Sequence, residues 1–152
     1  MDQRDIILLT KSIKTKPGTH DVRRCIDIVD KLIAIIESYI HDHEVKVGIE
    51  PIPFARRPTG KTFTRHELVG MLKHELLKRG IDVYMIGATT IKNKFALNGR
   101  ADKTHMQAAV YNRFGRLVKN DNIADSIAIA ALLSDYKERK LKLSIERLPQ
   151  IV

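Results

Sequence analysis

The chain is predicted to be an α/β domain. Short apolar runs bounded by turn residues alternate with stretches of helical period, in the order strand, helix, strand, helix, strand, helices, which is that of a sheet with crossover connections. A carboxylate then marks where this frame carries chemistry: Glu50 ends the strand-like run Val45-Lys46-Val47-Gly48-Ile49-Glu50, and Pro51 stops it. Far downstream a second acidic cluster, Asp121-Asn122-Ile123-Ala124-Asp125, opens an otherwise apolar helix.

At 152 residues with 43% hydrophobic content, the chain has the size and composition of one soluble globular domain. Residues 1–136 are assigned to that domain and residues 137–152 to a basic tail. The 27 Lys and Arg against 18 Asp and Glu give a net charge of +9, a field that favours nucleic acid or an anionic membrane surface. A single cysteine, Cys25, cannot form an intrachain disulfide and fits as a small buried residue of a reducing compartment. No signal peptide and no apolar stretch of the ~20 residues needed for a span is present, so a soluble cytoplasmic protein is expected.

Each element has its local reason. Ile6 to Ile13 reads as a strand leaving into the turn Lys14-Thr15-Lys16-Pro17-Gly18. Thr19 can cap a helix whose stripe Val22, Ile26, Val29, Ile33, Ile36, Ile40 runs to about Tyr39 and is expected to cover a sheet. In the Glu50 strand, Gly48 and Glu50 share one face, and Gly48 leaves room for close approach. A loop rich in Pro, Gly and Arg follows. Thr62 or Thr64 starts a second helix with Leu68, Leu72 and Leu76 on its buried face and Gly80 as terminator. Ile81 to Ile86 is a strand, Thr89 to Phe95 a turn or short helix, and Asp102 to Phe114 a helix. The last helix begins near Asp121, and past Asp135 continuation or fraying is expected.

Asp121, Asn122 and Asp125 lie about one turn apart on one helix face, and Ile129 and Leu132 continue it as apolar surface. A carboxylate at the rim of a core costs several kcal/mol unless it is paired or bound to a cation. The plain alternative is that Asp121 or Asn122 caps the helix and Asp125 bonds nearby backbone. Basic residues are expected at the same end of the fold as the acids: Arg56, Arg57, Lys61 and Arg65 follow Glu50 directly, while Lys92, Lys94, Arg100 and Lys103 precede the third helix. Lys103 opposes the dipole of its helix, which suits a phosphate contact as well as a solvated lysine. His41-Asp42-His43 is read as an ordinary polar turn. No nucleophile motif or glycine-rich phosphate loop is present, so hydrolysis by metal-activated water is the chemistry left.

These residues resemble a known family. Val47-Gly48-Ile49-Glu50 is similar to the strand carrying the second catalytic acid of RuvC-like Holliday junction resolvases, especially the phage-type members. Gly99-Arg100-Ala101-Asp102-Lys103-Thr104-His105-Met106-Gln107 resembles the segment with a basic residue at a helix start, and Ala124-Asp125-Ser126-Ile127-Ala128-Ile129-Ala130 resembles the family's last-acid signature. The match covers roughly residues 45 to 134. It implies a ribonuclease H-like mixed sheet with flanking helices, and two Mg²⁺ or Mn²⁺ ions between acids cutting a phosphodiester. It further implies Glu50 and Asp125 as metal ligands, with Asp121 or Asn122 as the third, and Lys92 and Lys103 as active-site lysines. Phe54 falls near the family's aromatic at the junction centre. The implied partner is branched DNA, the implied assembly a homodimer, and the compartment that of the host cell if the protein is phage-encoded.

The start of the chain departs from the family pattern, in which a first strand ends in an essential Asp. Asp2 and Asp5 precede the first apolar run, and the run leads directly to the first helix as the family's third strand does. The expectation is therefore an N-terminal truncation, a strand supplied by a partner, or an impaired catalyst. Three readings are ranked in order: a structure-selective endonuclease for branched DNA, a noncatalytic branched-DNA-binding module derived from it, and a generic basic α/β interaction domain.

Overall fold

A computed structural model describes residues 7, 9–136 and 145–150. Its elements are α1 (Asp21–Ile40), β1 (Lys46–Ile49), α2 (Gly60–Lys78), β2 (Asp82–Ile86), α3 (Ala88–Phe95), α4 (Lys103–Phe114), α5 (Asp121–Asp135) and β3 (Ile145–Arg147), with the strands hydrogen-bonded in the order β1-β2-β3. The chain divides into two compact units, one of Met1–Ser12, Gly48–Pro51 and Tyr84–Glu146, the other of Ile13–Val47, Ile52–Val83 and Arg147–Val152.

In the second unit α1 packs on α2. The buried face of α1 is Cys25, Val29 and Ile33, while Val22 and Ile26 are exposed. The expected stripe is thus rotated, and its main partner is a helix where a sheet was expected. A run of isoleucines at mixed three- and four-residue steps wraps more than one face, and only the neighbour decides which side is buried. Cys25 is buried with its Sγ 3.7 Å from the Thr64 carbonyl, and burial pushes its thiol pKa up. Arg79 Nε donates to Glu37 Oε1 at 2.8 Å and ties the end of α2 to α1. Gly80 terminates α2 as expected: at φ 70° it lets its own N–H reach Leu77 O (2.9 Å) and that of Ile81 reach Leu76 O (3.1 Å), the two bonds of a Schellman cap.

Two helix starts differ from expectation, and the last helix begins at Asp121 as expected. His20, not Thr19, caps α1 through Nδ1. Thr59 caps α2, and its N–H donates to Thr62 Oγ1 at 3.3 Å, so Thr62 closes the first turn from within it. Asn120 caps α5 by accepting from the Ile123 N–H at 3.2 Å, which frees Asp121 and Asn122 from capping. For α1 and α5 a polar residue one or two positions away was also able to cap, whereas the α2 cap lies three residues before Thr62.

The expected strand Ile6 to Ile13 is irregular in its described part, Ile7 and Leu9 to Ile13, since an apolar run becomes a strand only when another strand pairs with it. Ile6 and Leu8 lie outside the described residues, as do Asp2 and Asp5. The tail expected to continue or fray contains a strand instead: β3 joins β2, with Arg147 Nη2 on Asp82 Oδ1 at 2.7 Å and Leu148 N–H on Val83 O at 2.9 Å. Residues 137–144 lie outside the described residues.

The first unit holds the larger core. Tyr84 and Ile86 of β2, Ile91 of α3, Met106 of α4 and Ala128, Ile129, Leu132 and Leu133 of α5 form one buried cluster. Val110, Val118, Ala124 and Ile127 form another between α4 and α5. Alanines at 124 and 128 keep α5 narrow where α4 and β2 crowd it. On β1, Gly48 performs the same service: a Cβ there would collide with Cγ2 of Ile129 and come within 3.0 Å of Cδ1 of Leu133. Ile129 is β-branched and helical, with one dominant rotamer, so it cannot swing aside.

Gly48→Ala is therefore expected to destabilise the fold by roughly 1–3 kcal/mol through overpacking, read as a lower midpoint in urea unfolding. Combined with Ile129→Ala, which removes the colliding methyl, its cost should fall well below the sum of the two single changes.

Candidate metal and nucleic-acid site

The approach at Gly48 positions the acids. Two residues along a strand advance about 6.6 Å, and four residues along a helix advance about 6 Å. Gly48 packs over Ile129 and Leu133, so stepping from Gly48 to Glu50 matches stepping back one turn from Ile129 to Asp125. Glu50, at the end of β1, accordingly feels the charge of Asp125. Partial desolvation, then the Asp125 charge, raise the Glu50 pKa, and Lys92 opposes the shift. Asp125 is half-buried; desolvation and then Asp121 raise its pKa, while Lys92 and Lys103 lower it. Neither carboxylate makes a hydrogen bond or ion pair with a described residue.

Lys92 is half-buried on α3 and acts on both carboxylates. Pro51 explains why Glu50 is available at all. It cannot extend the ladder, so the chain leaves the strand with the carboxylate free at its end.

Asp121 is engaged differently from its neighbour one turn on. Lys103 Nζ lies 2.7 Å from Asp121 Oδ2, and Gln107 Nε2 donates to Asp121 Oδ1 at 3.0 Å and to the Lys119 carbonyl at 3.2 Å. The pair raises the Lys103 pKa through its hydrogen bond to Asp121. Lys103 and Gln107 are one turn apart on α4, and together they hold the start of α5. The sequence alone assigned Gln107 no role; its i+4 spacing from Lys103 was the available signal. Asn122 is exposed, so the Asp121-Asn122-Asp125 face does not present three equivalent oxygens. Among the described residues no group of three His, Cys, Asp or Glu side chains could hold a metal ion. The two carboxylates that do converge are hard, anionic and without hydrogen-bond donors of their own, which suits a hard divalent cation completed by water and phosphate oxygens.

The other expected residues fall into two groups. Lys94 and Arg100 are exposed in the same unit as the acids. Phe54, Arg56, Arg57, Lys61 and Arg65 belong to the other unit, all exposed, with Phe54 at 94%. Pro51, Pro53 and Pro58 bracket this basic loop and deny it ladder bonds. Among the described residues no helix is long and apolar enough to cross a membrane.

Comparison with known proteins places the chain in a family. The family model described as crossover junction endodeoxyribonuclease RuvC matches residues 3–132. Relatives of that description include one from Corynebacterium jeikeium, 27% identical over 104 residues, and one from Corynebacterium diphtheriae, 28% identical over 120 residues. The alignments cover 67% and 78% of this chain, and the chain spans 64% and 71% of the two relatives' lengths. Among solved structures, Thermus thermophilus RuvC superposes with a TM-score of 0.67 at 19% identity, covering 90% of this chain and 79% of that one. The same organism's RuvC in complex with a Holliday junction substrate gives 0.66 at 22% identity, covering 77% and 70%. The shared fold is ribonuclease H-like. With most of its length matched by one family model and its elements laid out as in these structures, the chain belongs to the crossover junction endodeoxyribonuclease RuvC family.

Proposed function

We propose that this chain is a metal-dependent endonuclease that resolves Holliday junctions or related branched DNA by phosphodiester hydrolysis. The observation that carries the reading is the Glu50 and Asp125 pair, two carboxylates without hydrogen-bond partners among the described residues, one raising the pKa of the other. Such a pair is unfavourable in the fold alone and favourable around a divalent cation. Family membership and the junction complex of the Thermus thermophilus relative support the choice of substrate.

Mg²⁺ or Mn²⁺ held there would supply a water of lowered pKa and a Lewis acid at the phosphate, and two such ions are the family expectation. Glu50 and Asp125 would be the ligands, and Asn122 would offer a neutral oxygen from the exposed rim. Lys92, which faces both acids, holds a phosphate oxygen of the substrate and balances the charge that builds on the leaving oxygen. Lys103, 79% exposed even while paired to Asp121, reaches a second phosphate. Asp121 keeps Lys103 in place and serves as an outlying ligand only if that pair opens. Lys94, Arg100, Arg56, Arg57, Lys61 and Arg65 neutralise backbone phosphates, and Phe54 stacks on an unpaired base. A homodimer matches the two-fold symmetry of a four-way junction.

A second reading, a noncatalytic branched-DNA-binding module, has one observation in its favour: the described residues offer two converging carboxylates and no third. Two carboxylates hold one Mg²⁺ with waters more readily than two ions.

Slow cutting of a synthetic four-way junction is expected, dependent on Mg²⁺ or Mn²⁺ and abolished by Glu50→Gln or Asp125→Asn with junction binding retained. Binding without any cutting supports the module reading, and cutting that survives both substitutions overturns the site.

The raised pKa values give a signed pH dependence. A carboxylate whose folded pKa exceeds its unfolded value adds no penalty below ~4; the penalty develops as pH rises through that value and is complete above the folded pKa. Glu50→Gln and Asp125→Asn should therefore raise Tm at pH 7, with the gain shrinking toward pH 4. Added Mg²⁺ should raise the wild-type Tm at pH 7 and leave the double variant unmoved.

Replacing Arg56, Arg57 or Lys61 by Ala should weaken junction binding and flatten its log–log salt dependence by about 0.9 for each phosphate no longer neutralised. Titrations at several salt concentrations measure this directly.

A further inference from the structure

Between α3 and α4 the chain turns at Leu97, whose φ of 54° makes it the one non-glycine residue at positive φ among the described residues. Position and conformation are those that glycine normally fills just past a helix end. A bulky L-residue is a genuine outlier there. Its side chain is 87% exposed, so the fold gains no burial from keeping leucine in a disfavoured backbone. The loop around it is firmly built. The Ala96 and Asn98 N–H groups both donate to the Lys92 carbonyl, at 3.1 and 3.3 Å. Asn98 then accepts from Arg100 N–H at Oδ1 (3.0 Å) and from Ala101 N–H at its carbonyl (2.9 Å), and Ala101 is buried. Gly99 is backed by the Asn93 side chain, whose Oδ1 a Cβ at Gly99 would strike.

The surroundings of this raised leucine say what it meets. Lys94 and Arg100, both exposed, flank it in sequence. The carbonyl that anchors the loop belongs to Lys92, whose side chain acts on Glu50 and Asp125. An isolated apolar tip between cations, on a loop fastened to the residue that faces the acids, suits a polyanion whose apolar surface becomes accessible where stacking is broken. We propose that Leu97 is a wedge that enters the branch point of a DNA junction and packs against an unstacked base, while Lys94 and Arg100 hold the flanking phosphates. This rests on the branched-DNA reading and adds to it the residue that senses the branch.

The test uses the full chain without divalent metal, a four-way junction carrying 2-aminopurine at the branch, and a linear duplex of one arm. Wild type, Leu97→Gly, Leu97→Asn and Leu97→Met are compared by anisotropy, 2-aminopurine fluorescence and Tm. Leu97→Gly is expected to raise Tm, because glycine accepts the turn without strain, and to lose about tenfold in junction affinity, the scale of one leucine-sized apolar contact. Its duplex affinity should be unchanged and the rise in 2-aminopurine fluorescence absent. Leu97→Asn should follow Leu97→Gly in binding, and Leu97→Met should keep the junction preference. A wild type that prefers the junction, matched by Leu97→Gly in affinity and fluorescence, overturns the wedge alone. A wild type that binds junction no better than duplex overturns the branched-DNA reading and the wedge with it.

Discussion

Because Gly48 has no side chain, β1 lies close enough to α5 for Ile129 and Leu133 to pack directly on its backbone, and the acid pair follows from that approach. A strand step of two residues and a helical step of four are nearly equal in length, so the contact that seats Gly48 over Ile129 also sets Glu50 beside Asp125. A larger residue at position 48 would push α5 away and separate the carboxylates along with the core. Stability and site geometry are thus coupled through one missing Cβ.

Within this frame the charges divide their tasks. Asp121 is compensated by Lys103 and Gln107 and fixes α5 to α4, whereas Glu50 and Asp125 make no such pair, and the charge of Lys92 acts on both. The compensated acid braces two helices; the other two are raised in pKa by desolvation first and a neighbouring carboxylate second, and Lys92 opposes both shifts. A net charge of +9 makes the acid pair a local exception in a positive field.

Local signals were most legible where one residue type has one conformational role. Gly80 at the end of α2, Pro51 at the end of the Glu50 strand and the glycine at 48 could each be read from the chain, because each answers a backbone requirement that few residues meet. Caps were less legible: Thr19 against His20, and Asp121 or Asn122 against Asn120, are choices among nearby acceptors that differ by one or two residues of register. The apolar run before residue 13 and the segment at 145–147 depart from expectation in opposite senses, since strand formation depends on a hydrogen-bonding neighbour that the local sequence does not contain.

By itself the sequence determined the α/β order, the helix and strand that carry the two acids, the basic loops and the motifs by which the family is known, all of which are set by local periodicity, turn chemistry and residue identity. Only the tertiary structure decided which acids meet and which are compensated. Asp121 and Asp125 sit one turn apart on the same helix, yet one is tied to Lys103 and Gln107 while the other makes no hydrogen bond or ion pair with a described residue and its charge acts on Glu50. Leu97 likewise reads as an ordinary leucine until its backbone is seen at positive φ with its side chain in solvent. These outcomes depend on residues brought together from distant parts of the chain, and the energies that distinguish them, ion pairing, desolvation and steric exclusion, act through space and leave no local pattern.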